Sequence, residues 1–292
     1  MAGLLSLVST PIGNLDDITL RALRVLREAD VILAEDTRRT GVLTAHHGIP
    51  TRLRSLHAHT ADAQLDGIAA ELAAGARMAL VSDAGTPVVS DPGHALVARA
   101  IALGVRVEGI PGPSAVTTAV VVSGLPCDHF RFVGFLPRTG SKRAAALEGI
   151  VQDTAASVFF EAPSRVGKTL SELAALALPE RRAAACRELT KLHEEVRRGT
   201  LSELAAYFEE SARGEFTVVV EGAPRDAAPD STDDLEARAA ALLADGMSVK
   251  TVAKALAATT SLSRTAAYDL ALRVARPDGK PDGEPDAAKD EP

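Results

Sequence analysis

Short runs of aliphatic and β-branched residues alternate with amphipathic stretches from residue 4 to about residue 222, which limits the fold more than any other sequence feature. In the first half, the pattern predicts strands at Leu4–Val8, Val31–Ala34, Met78–Val81 and Val105–Val107, and helices at Thr19–Glu28, Thr60–Ala74 and Pro92–Leu103. Strands that alternate with helices are typical of an α/β domain with a mostly parallel sheet.

A second alternating set follows the first. It predicts strands near Phe130–Phe135, Val158–Glu161, Ala183–Glu188 and Phe216–Val220, and helices near Ser141–Val151, Ser164–Ala177 and Leu201–Ser211. An apolar helix within Ser114–Cys127, which ends at Gly124 and Pro126, marks the boundary between the two sets. We therefore expect two tandem α/β domains, residues 1–116 and 117–224.

The C-terminal part has a different character. Residues 225–232 contain Pro229 and few apolar side chains, which predicts a linker. Three short helices follow within 233–275, with Ser248 and Ser263 as expected N-caps, and their close spacing predicts a helix-turn-helix-like module. Residues 276–292 hold six acids and three bases, and we expect this acidic tail to be disordered.

Composition excludes several classes of protein. The formal net charge of −7 argues against binding nucleic acid by bulk electrostatics. The two cysteines, Cys127 and Cys186, form no metal-binding spacing, so we expect no metal. No apolar run approaches the ~20 residues needed to span a bilayer. The sequence thus predicts a cytoplasmic protein with no membrane partner.

Small and polar residues follow four of the predicted strands. The segments are Ser9–Leu15, Ser82–Pro87 with its echo at Ser90–Gly93, Pro111–Ala115 and Glu161–Arg165. Any one of these segments, taken alone, is explained by an ordinary turn or helix cap. Because open α/β sheets bind ligands at the carboxyl ends of their strands, four such segments in one chain favour a shared cleft.

The amino-acid sequences of these segments identify a protein family more specifically than their positions do. The strings STPIGNLDDITLRAL, AEDTRRT, SDAGTPVVSDPG, PGPSA, GFLPR, EAPSR and RELTK occur in unbroken order between residues 4 and 222. In these strings the chain resembles the tetrapyrrole (corrin/porphyrin) methylase superfamily, in particular its branch that methylates small-subunit ribosomal RNA. One departure is EAPSR, where a sequence nearer to ESPHR is expected, so Ser164 replaces a histidine.

The resemblance implies S-adenosylmethionine bound in a folded pose in a cleft between two α/β domains. It implies 2′-O-methylation of a cytidine in the decoding region of 16S rRNA within the small ribosomal subunit, by a homodimer. The cofactor contacts implied by the matching motifs are Pro11, Asp83, Gly85, Thr86, Pro87, Ser114, Ala115, Phe160, Glu161, Leu189, Glu215 and Phe216.

Two further groups of residues are candidates for the chemistry. A ribose hydroxyl needs a base or a group that stabilises its alkoxide, and Glu35, Asp36, Arg38 and Lys191 are the catalytic candidates. Helix capping or ion pairing is an equally good explanation for each carboxylate. No acid occurs between His129 and Leu147, and the RNA-binding candidates are Arg138, Lys142, Arg143 and Arg165, unless they only form a solvated face.

Three rival functions remain open at this point. Residues 162–169 match a loose phosphate-binding loop, which would indicate a nucleotide hydrolase. Pro163 and the lack of a glycine before Gly167 argue against it, because a phosphate cradle needs converging backbone N–H groups. The other rivals are a tetrapyrrole ring C-methyltransferase and a ribosome-binding module without turnover.

Overall fold

The computed structural model describes residues 3–209, 212–224, 232–244, 247–260 and 262–275. The expected acidic tail and all but the last residue of the expected linker lie outside these residues. The described chain forms two compact units, one of residues up to 174 with 179–222, the other of 175–178 with the described residues beyond 222. None of the helices described in these ranges is long and apolar enough to cross a membrane.

The first sheet is fully parallel, with strand order β3-β2-β4-β1-β5. Its strands are β1 (Leu4–Val8), β2 (Val31–Ala34), β3 (Leu53–Ser55), β4 (Arg77–Val81) and β5 (Arg106–Ile110). Its helices are α1 (Leu20–Glu28), α2 (Thr37–His46), α3 (Asp62–Ala73) and α4 (His94–Ala102). The prediction of a mostly parallel first sheet is confirmed.

Two clusters of buried side chains cover this sheet. Leu5, Leu33 and Leu80 belong to one cluster, and Val8, Ile32 and Val81 belong to the other. Consecutive strand residues point to opposite faces, so both faces of the sheet are buried. Burial on both faces explains why β2 is the continuous apolar run Val-Ile-Leu-Ala.

The second sheet is mixed, with strand order β6-β7-β10-β8-β9, and only β6 and β7 are parallel. Its strands are β6 (Phe130–Phe135), β7 (Ala156–Glu161), β8 (Arg182–Arg187), β9 (Glu195–Thr200) and β10 (Phe216–Val220). Its helices are α5 (Ala115–Ser123), α6 (Gly140–Gln152), α7 (Pro163–Leu176) and α8 (Leu201–Tyr207).

Helix α5 belongs to the second sheet. Its buried residues Val116 and Ala119 share a core cluster with Val158, Ala184 and Val219 of β7, β8 and β10. The helix ends at Gly124, which adopts the left-handed conformation with φ +69°. The chain thus passes between the sheets at the start of α5, and the expected boundary after residue 116 falls inside this helix.

The second unit contains α9 (Thr232–Ala244), α10 (Val249–Thr259) and α11 (Arg264–Ala275). Ala239, Val252, Leu256 and Leu270 lie in one buried cluster of these helices. The hydroxyls of the expected caps accept hydrogen bonds from helix N–H groups: Ser248 from Thr251 and Ser263 from Ala266. The three predicted helices are therefore present.

Candidate active site

The cofactor-loop candidates of the first domain lie together at the carboxyl edge of the first sheet. Thr10 and Gly85 exchange backbone hydrogen bonds of 2.9 and 3.0 Å, which join the loop after β1 to the loop after β4. The Ser9 hydroxyl lies 3.2 Å from that of Thr86. A Cβ on Gly112, in the loop after β5, would lie 3.0 Å from the Ser9 Cβ. Small residues thus bring three loops close to one another.

A cluster of carboxylates lies beside these loops. An Asp83 oxygen accepts the N–H of Asp36 at 2.9 Å, and its other oxygen lies 3.7 Å from Arg39 Nε. Asp36 caps α2 by accepting the N–H of Arg38 at 2.9 Å, and the Arg38 guanidinium pairs with the same carboxylate. These hydrogen bonds hold the pKa of Asp36 well below its usual range. Burial, followed by the nearby charge of Asp83, raises the pKa of Glu35.

Asp91 also belongs to this cluster, although it was not among the catalytic candidates from the sequence. Burial, together with the charges of Glu35 and Asp83, raises its pKa to about 6, although a hydrogen bond from Ser82 opposes the shift. A carboxyl group with such a pKa exchanges protons easily near neutral pH. The sequence signal was the repeat of Ser-Asp at Ser82-Asp83 and Ser90-Asp91.

The facing edge of the second sheet carries Lys191 between two carboxylates. Lys191 Nζ lies 2.9 Å from Glu188 Oε1 and 2.8 Å from Glu215 Oε2. Partial burial lowers the pKa of Lys191, but the two hydrogen bonds outweigh this effect and leave the pKa above its usual value. Lys191 is therefore a charged group in an ion-pair cluster, suited to electrostatic work more than to proton abstraction.

Two aromatic candidates lie at the same edge. The ring of Phe160, at the end of β7, lies 5.3 Å from the ring of Phe135, at the end of β6. Phe135 is 64% exposed, so one aromatic surface is open to a ligand. Leu189 and Phe216, by contrast, are buried. Leu189 belongs to the same buried cluster as Ile12 of the loop after β1, and a Cβ on Gly13 would lie 3.0 Å from the Leu189 carbonyl oxygen.

The loops at the two sheet edges approach each other closely at two points, and the cleft is the space that these loops surround. A Cβ on Gly13 would lie 2.8 Å from Thr190 Oγ1, and one on Gly134 would lie 3.4 Å from Ser90 Oγ. Thr190 also lines a cavity of about 280 Å³ with Ile12, Gly112 and Pro113. Loops from both domains therefore form its walls.

Backbone strain is concentrated in the loops that meet here. Val88, Ser90, Glu188 and Thr190 have φ values of +72°, +67°, +51° and +65°. A left-handed conformation is costly for non-glycine residues, most of all for a β-branched one such as Val88. Strain of this kind persists only where the surrounding structure imposes it and is frequent at functional sites. Of these residues, Ser90 and Thr190 face the other domain across the cleft.

The RNA-binding candidates do not all lie on the surface. Arg138 and Lys142 are exposed. Arg143 is buried, and its guanidinium bonds to Glu172, Thr169 and the Pro137 carbonyl, so the expectation that it contacts RNA is corrected. An amphipathic helix with a basic first turn does not reveal which of its cations points inward.

Glu161 is corrected in the same way. Its carboxylate is buried, accepts the Thr169 hydroxyl at 2.7 Å and lies 3.1 Å from Arg165 Nε. Its carboxylate therefore serves the interior of the second domain, which corrects the expectation that this side chain contacts the cofactor. Arg165 is partly exposed, but its guanidinium also donates to the carbonyls of Leu136 and Pro137.

The remaining cofactor candidates lie where their motifs place them. Pro11 and Pro87 are buried in the loops after β1 and β4, and Ser114 and Ala115 are half-buried at the start of α5. The contacts of all these residues with a cofactor remain predictions.

The rival phosphate-binding loop does not form. Gly167 lies inside α7, as expected, and a Cβ there would lie 2.4 Å from the Phe208 carbonyl oxygen. This glycine thus allows close packing of α7 against the end of α8. Within the described residues, no group of three or more His, Cys, Asp or Glu is arranged to hold a metal ion.

Comparison with known proteins gives the same picture of the fold. The family model described as Tetrapyrrole (Corrin/Porphyrin) Methylases matches residues 4–205. The solved uroporphyrin-III-C-methyltransferase of Thermus thermophilus superposes with a TM-score of 0.55 at 23% identity, covering 75% of this chain and 94% of that one. At this identity the likeness shows the fold alone.

Curated relatives are much more similar in sequence. The "Ribosomal RNA small subunit methyltransferase I" of Halalkalibacterium halodurans is 48% identical over 221 residues, which is 75% of this chain and 76% of the relative. The protein of the same name from Synechocystis is 42% identical over 274 residues, 93% of this chain and 98% of the relative.

Two α/β sheets whose loops enclose one cleft define a two-domain α/β enzyme with an interdomain site. The chain belongs to the tetrapyrrole (corrin/porphyrin) methylase family. Methylases of this family use S-adenosylmethionine as the methyl donor.

Proposed function

We propose that this protein methylates the ribose 2′-oxygen of a cytidine in small-subunit ribosomal RNA, at the position known as cytidine 1402 of 16S rRNA. The observation that carries the proposal is the 42–48% identity with relatives named ribosomal RNA small subunit methyltransferase I. The exposed cations Arg138 and Lys142 beside the cleft support an RNA substrate.

The first-domain loops fit the methyl donor. Gly85 has a φ of +78° and Gly112 approaches Ser9 closely, so the backbone is open to a ligand at this edge. The hydroxyls of Ser9 and Thr86 offer polar contacts there. The carboxylates beside them provide a negative potential that suits a sulfonium cation.

S-adenosylmethionine supplies an electrophilic methyl group for in-line attack by the acceptor oxygen. The protein must hold that oxygen in line and accept its proton. Glu35 and Asp91, whose pKa values are raised, support the role of proton acceptor, and Asp36 with its partner Arg38 supports the positioning of the acceptor. Asp83 holds the N–H of Asp36 and organises the loops.

Assembly and location form a second part of the proposal. We also propose a homodimer, for which Val121, 81% exposed within the apolar run Val120–Val122 of α5, offers a contact residue. The free cysteines Cys127 and Cys186 and an rRNA substrate support a reducing cytoplasm.

The test is methyl transfer to unmodified small ribosomal subunits. The protein is incubated with methyl-labelled S-adenosylmethionine, and the rRNA is digested to nucleosides. We expect label in 2′-O-methylcytidine, with none on subunits that already carry the modification. Label on a tetrapyrrole substrate offered in parallel, or hydrolysis of Mg-ATP without methyl transfer, would contradict the proposal and identify a rival. Binding of subunits without any transfer would indicate the ribosome-binding module.

A further inference from the structure

A buried ionic network lies directly behind the loop that carries Arg138. Arg143 of α6 donates from Nε to Glu172 at 2.9 Å, from Nη2 to Glu172 at 2.5 Å and to Thr169 at 2.8 Å. Its Nη1 donates to the Pro137 carbonyl at 3.0 Å. One side chain thus connects two helices to the loop between β6 and α6.

A second arginine reaches the same loop from α7. Arg165 Nη2 donates to the carbonyls of Leu136 and Pro137 at 3.0 and 3.2 Å. Its Nε lies 3.1 Å from Glu161, whose carboxylate also accepts the Ala162 N–H and the Thr169 hydroxyl. Two consecutive carbonyls of the loop are therefore fixed by guanidinium groups.

The charges inside the network face opposite charges. Arg143 and Arg165 face Glu161 and Glu172, with side-chain exposures of 8%, 25%, 1% and 33%. The exposed Lys168 lies 3.9 Å from the outer oxygen of Glu172. Apolar residues of similar volume would stabilise a core about as well as a buried ion network. The network is better explained by the single loop conformation that its directional hydrogen bonds impose.

That loop is placed at the cleft. It follows Phe135, whose ring contacts Phe160, and the adjoining Gly134 lies against Ser90 of the first domain. Arg138 is exposed at its outer side, and Lys142 follows in the first turn of α6. A fixed loop holds both cations at constant positions relative to the cleft.

We propose that Arg143 and Arg165 are positioning residues, which hold the 136–139 loop so that Arg138 and Lys142 meet the phosphates of the RNA substrate. This proposal rests on the proposed function for the nature of the substrate. Because the loop is already ordered in the folded protein, substrate binding does not have to order it. The network therefore affects substrate affinity and not the chemical step.

The chain offers a matched control for Arg143. Arg181 is equally buried and donates to the carbonyls of Glu221 and Val151 at 2.7 and 2.8 Å. It lies at the opposite edge of the same sheet, beside the end of β10 and the start of β8. Arg143→Lys and Arg181→Lys both remove guanidinium hydrogen bonds to backbone carbonyls, near the cleft and far from it, although only Arg143 also loses its pairing with Glu172.

The first measurement is hydrogen exchange, which needs no substrate. In Arg143→Lys, a peptide covering residues 135–142 is expected to exchange at least about tenfold faster than in the unaltered protein. In Arg181→Lys its exchange stays unchanged. Equal effects of the two variants on this peptide, or no effect of either, would overturn the proposal. Arg165→Lys, at a more exposed position, provides the same comparison where Arg143→Lys fails to fold.

The second measurement is a double-mutant cycle on methylation of small subunits. Arg138→Ala is expected to raise KM for subunits about tenfold at unchanged kcat, and Arg143→Lys to do the same, with S-adenosylmethionine affinity preserved in both. Because Arg143→Lys acts in part through the phosphate contact of Arg138, the double variant should raise KM by clearly less than the product of the two single effects. Additive effects on KM, or an equal rise in Arg181→Lys, would refute the positioning role. Absence of turnover in the unaltered protein would refute the proposed function, while the exchange result would still report on the loop.

Discussion

At the scale of single residues, Asp91 carries the clearest pH-dependent prediction. Its pKa in the folded chain is about 6, against an ordinary value of 3.8, and burial is the main cause. The folded state therefore binds more protons than the unfolded state between about pH 4 and 6, and the free energy of unfolding falls as pH rises through this window.

Asp91→Asn removes the carboxyl group and with it the fall in the free energy of unfolding as pH rises. We expect the variant to be more stable than the unaltered protein at pH 8 and equally stable below pH 4, as measured by urea unfolding across that range. Glu71→Gln is the control of opposite sign, because the hydrogen bond from Arg54 lowers the pKa of Glu71, and its loss should destabilise the protein above pH 5. A carboxylate retained at a cost in stability is typical of an active site, so Asp91→Asn should also lower kcat.

Some of the predicted site residues lie where the sequence placed them and others do not, and the difference depends on whether local pattern or tertiary packing sets their position. Pro11, Asp83 and Ser114 stand at the ends of predicted strands, and parallel strands bring such ends to one edge of a sheet. The burial of Arg143 and Glu161 depends instead on the packing of α6 against α7. The α7 partners of Arg143, Glu172 and Thr169, are 29 and 26 residues away, and no local pattern specifies such contacts.

At the scale of helices, substitution of two helical glycines should change the stability of the protein in opposite directions. A Cβ added to Gly67 in α3 would have no atom within 4 Å, whereas a Cβ on Gly167 in α7 would lie 2.4 Å from the Phe208 carbonyl oxygen. Gly67→Ala should stabilise the protein by about 0.5–1 kcal/mol, because alanine restricts the unfolded chain and fits a helix. Gly167→Ala should destabilise it by about 1–3 kcal/mol through overpacking.

Urea unfolding of the two variants checks this prediction. Gly167→Ala as stable as Gly67→Ala would show that α7 and the end of α8 are not in close contact. KM for small ribosomal subunits is the accompanying measurement, and it should rise in Gly167→Ala, since a shift of α7 would also move Arg165 and the loop carbonyls that it holds.

The elements missed in the sequence share a physical cause. β3 has only three residues and β9 is the charged run Glu-Val-Arg-Arg-Gly-Thr, so neither shows a buried apolar pattern. Both are edge strands, where charge is favoured and pairing with a neighbour decides the conformation. Helix α2 includes Gly41 and begins because Asp36 caps it, which is one of the two explanations that the sequence left open for this carboxylate.

At the scale of the whole molecule, the alternation of elements predicted two α/β domains but not the mixed order of the second sheet. Strand β10 inserts between β7 and β8, although β8 and β9 precede it in the chain. Local periodicity identifies each strand without fixing its neighbours, and long-range pairing decides the order. The net charge likewise predicted no bulk RNA binding, which leaves room for local contacts by exposed cations such as Arg138 and Lys142.

The two compact units lead to a prediction for truncation after Gly222. All of the predicted cofactor residues lie in the first unit, which has its own buried cores. The truncated chain should therefore fold and bind S-adenosylmethionine within about twofold of the full-length affinity, as measured by calorimetry. Loss of cofactor affinity would show that the first unit depends on the second.

The same truncation also tests whether the helical unit contacts RNA. Lys250 and Lys254 are exposed on α10, so its removal should weaken subunit binding and make the dependence of affinity on salt shallower. Lys250→Gln with Lys254→Gln in the full-length chain is the matched control, because it removes the charges and keeps the helices. An unchanged salt dependence in both would assign the helical unit a role in packing, and RNA contact would then rest on the cations beside the cleft alone.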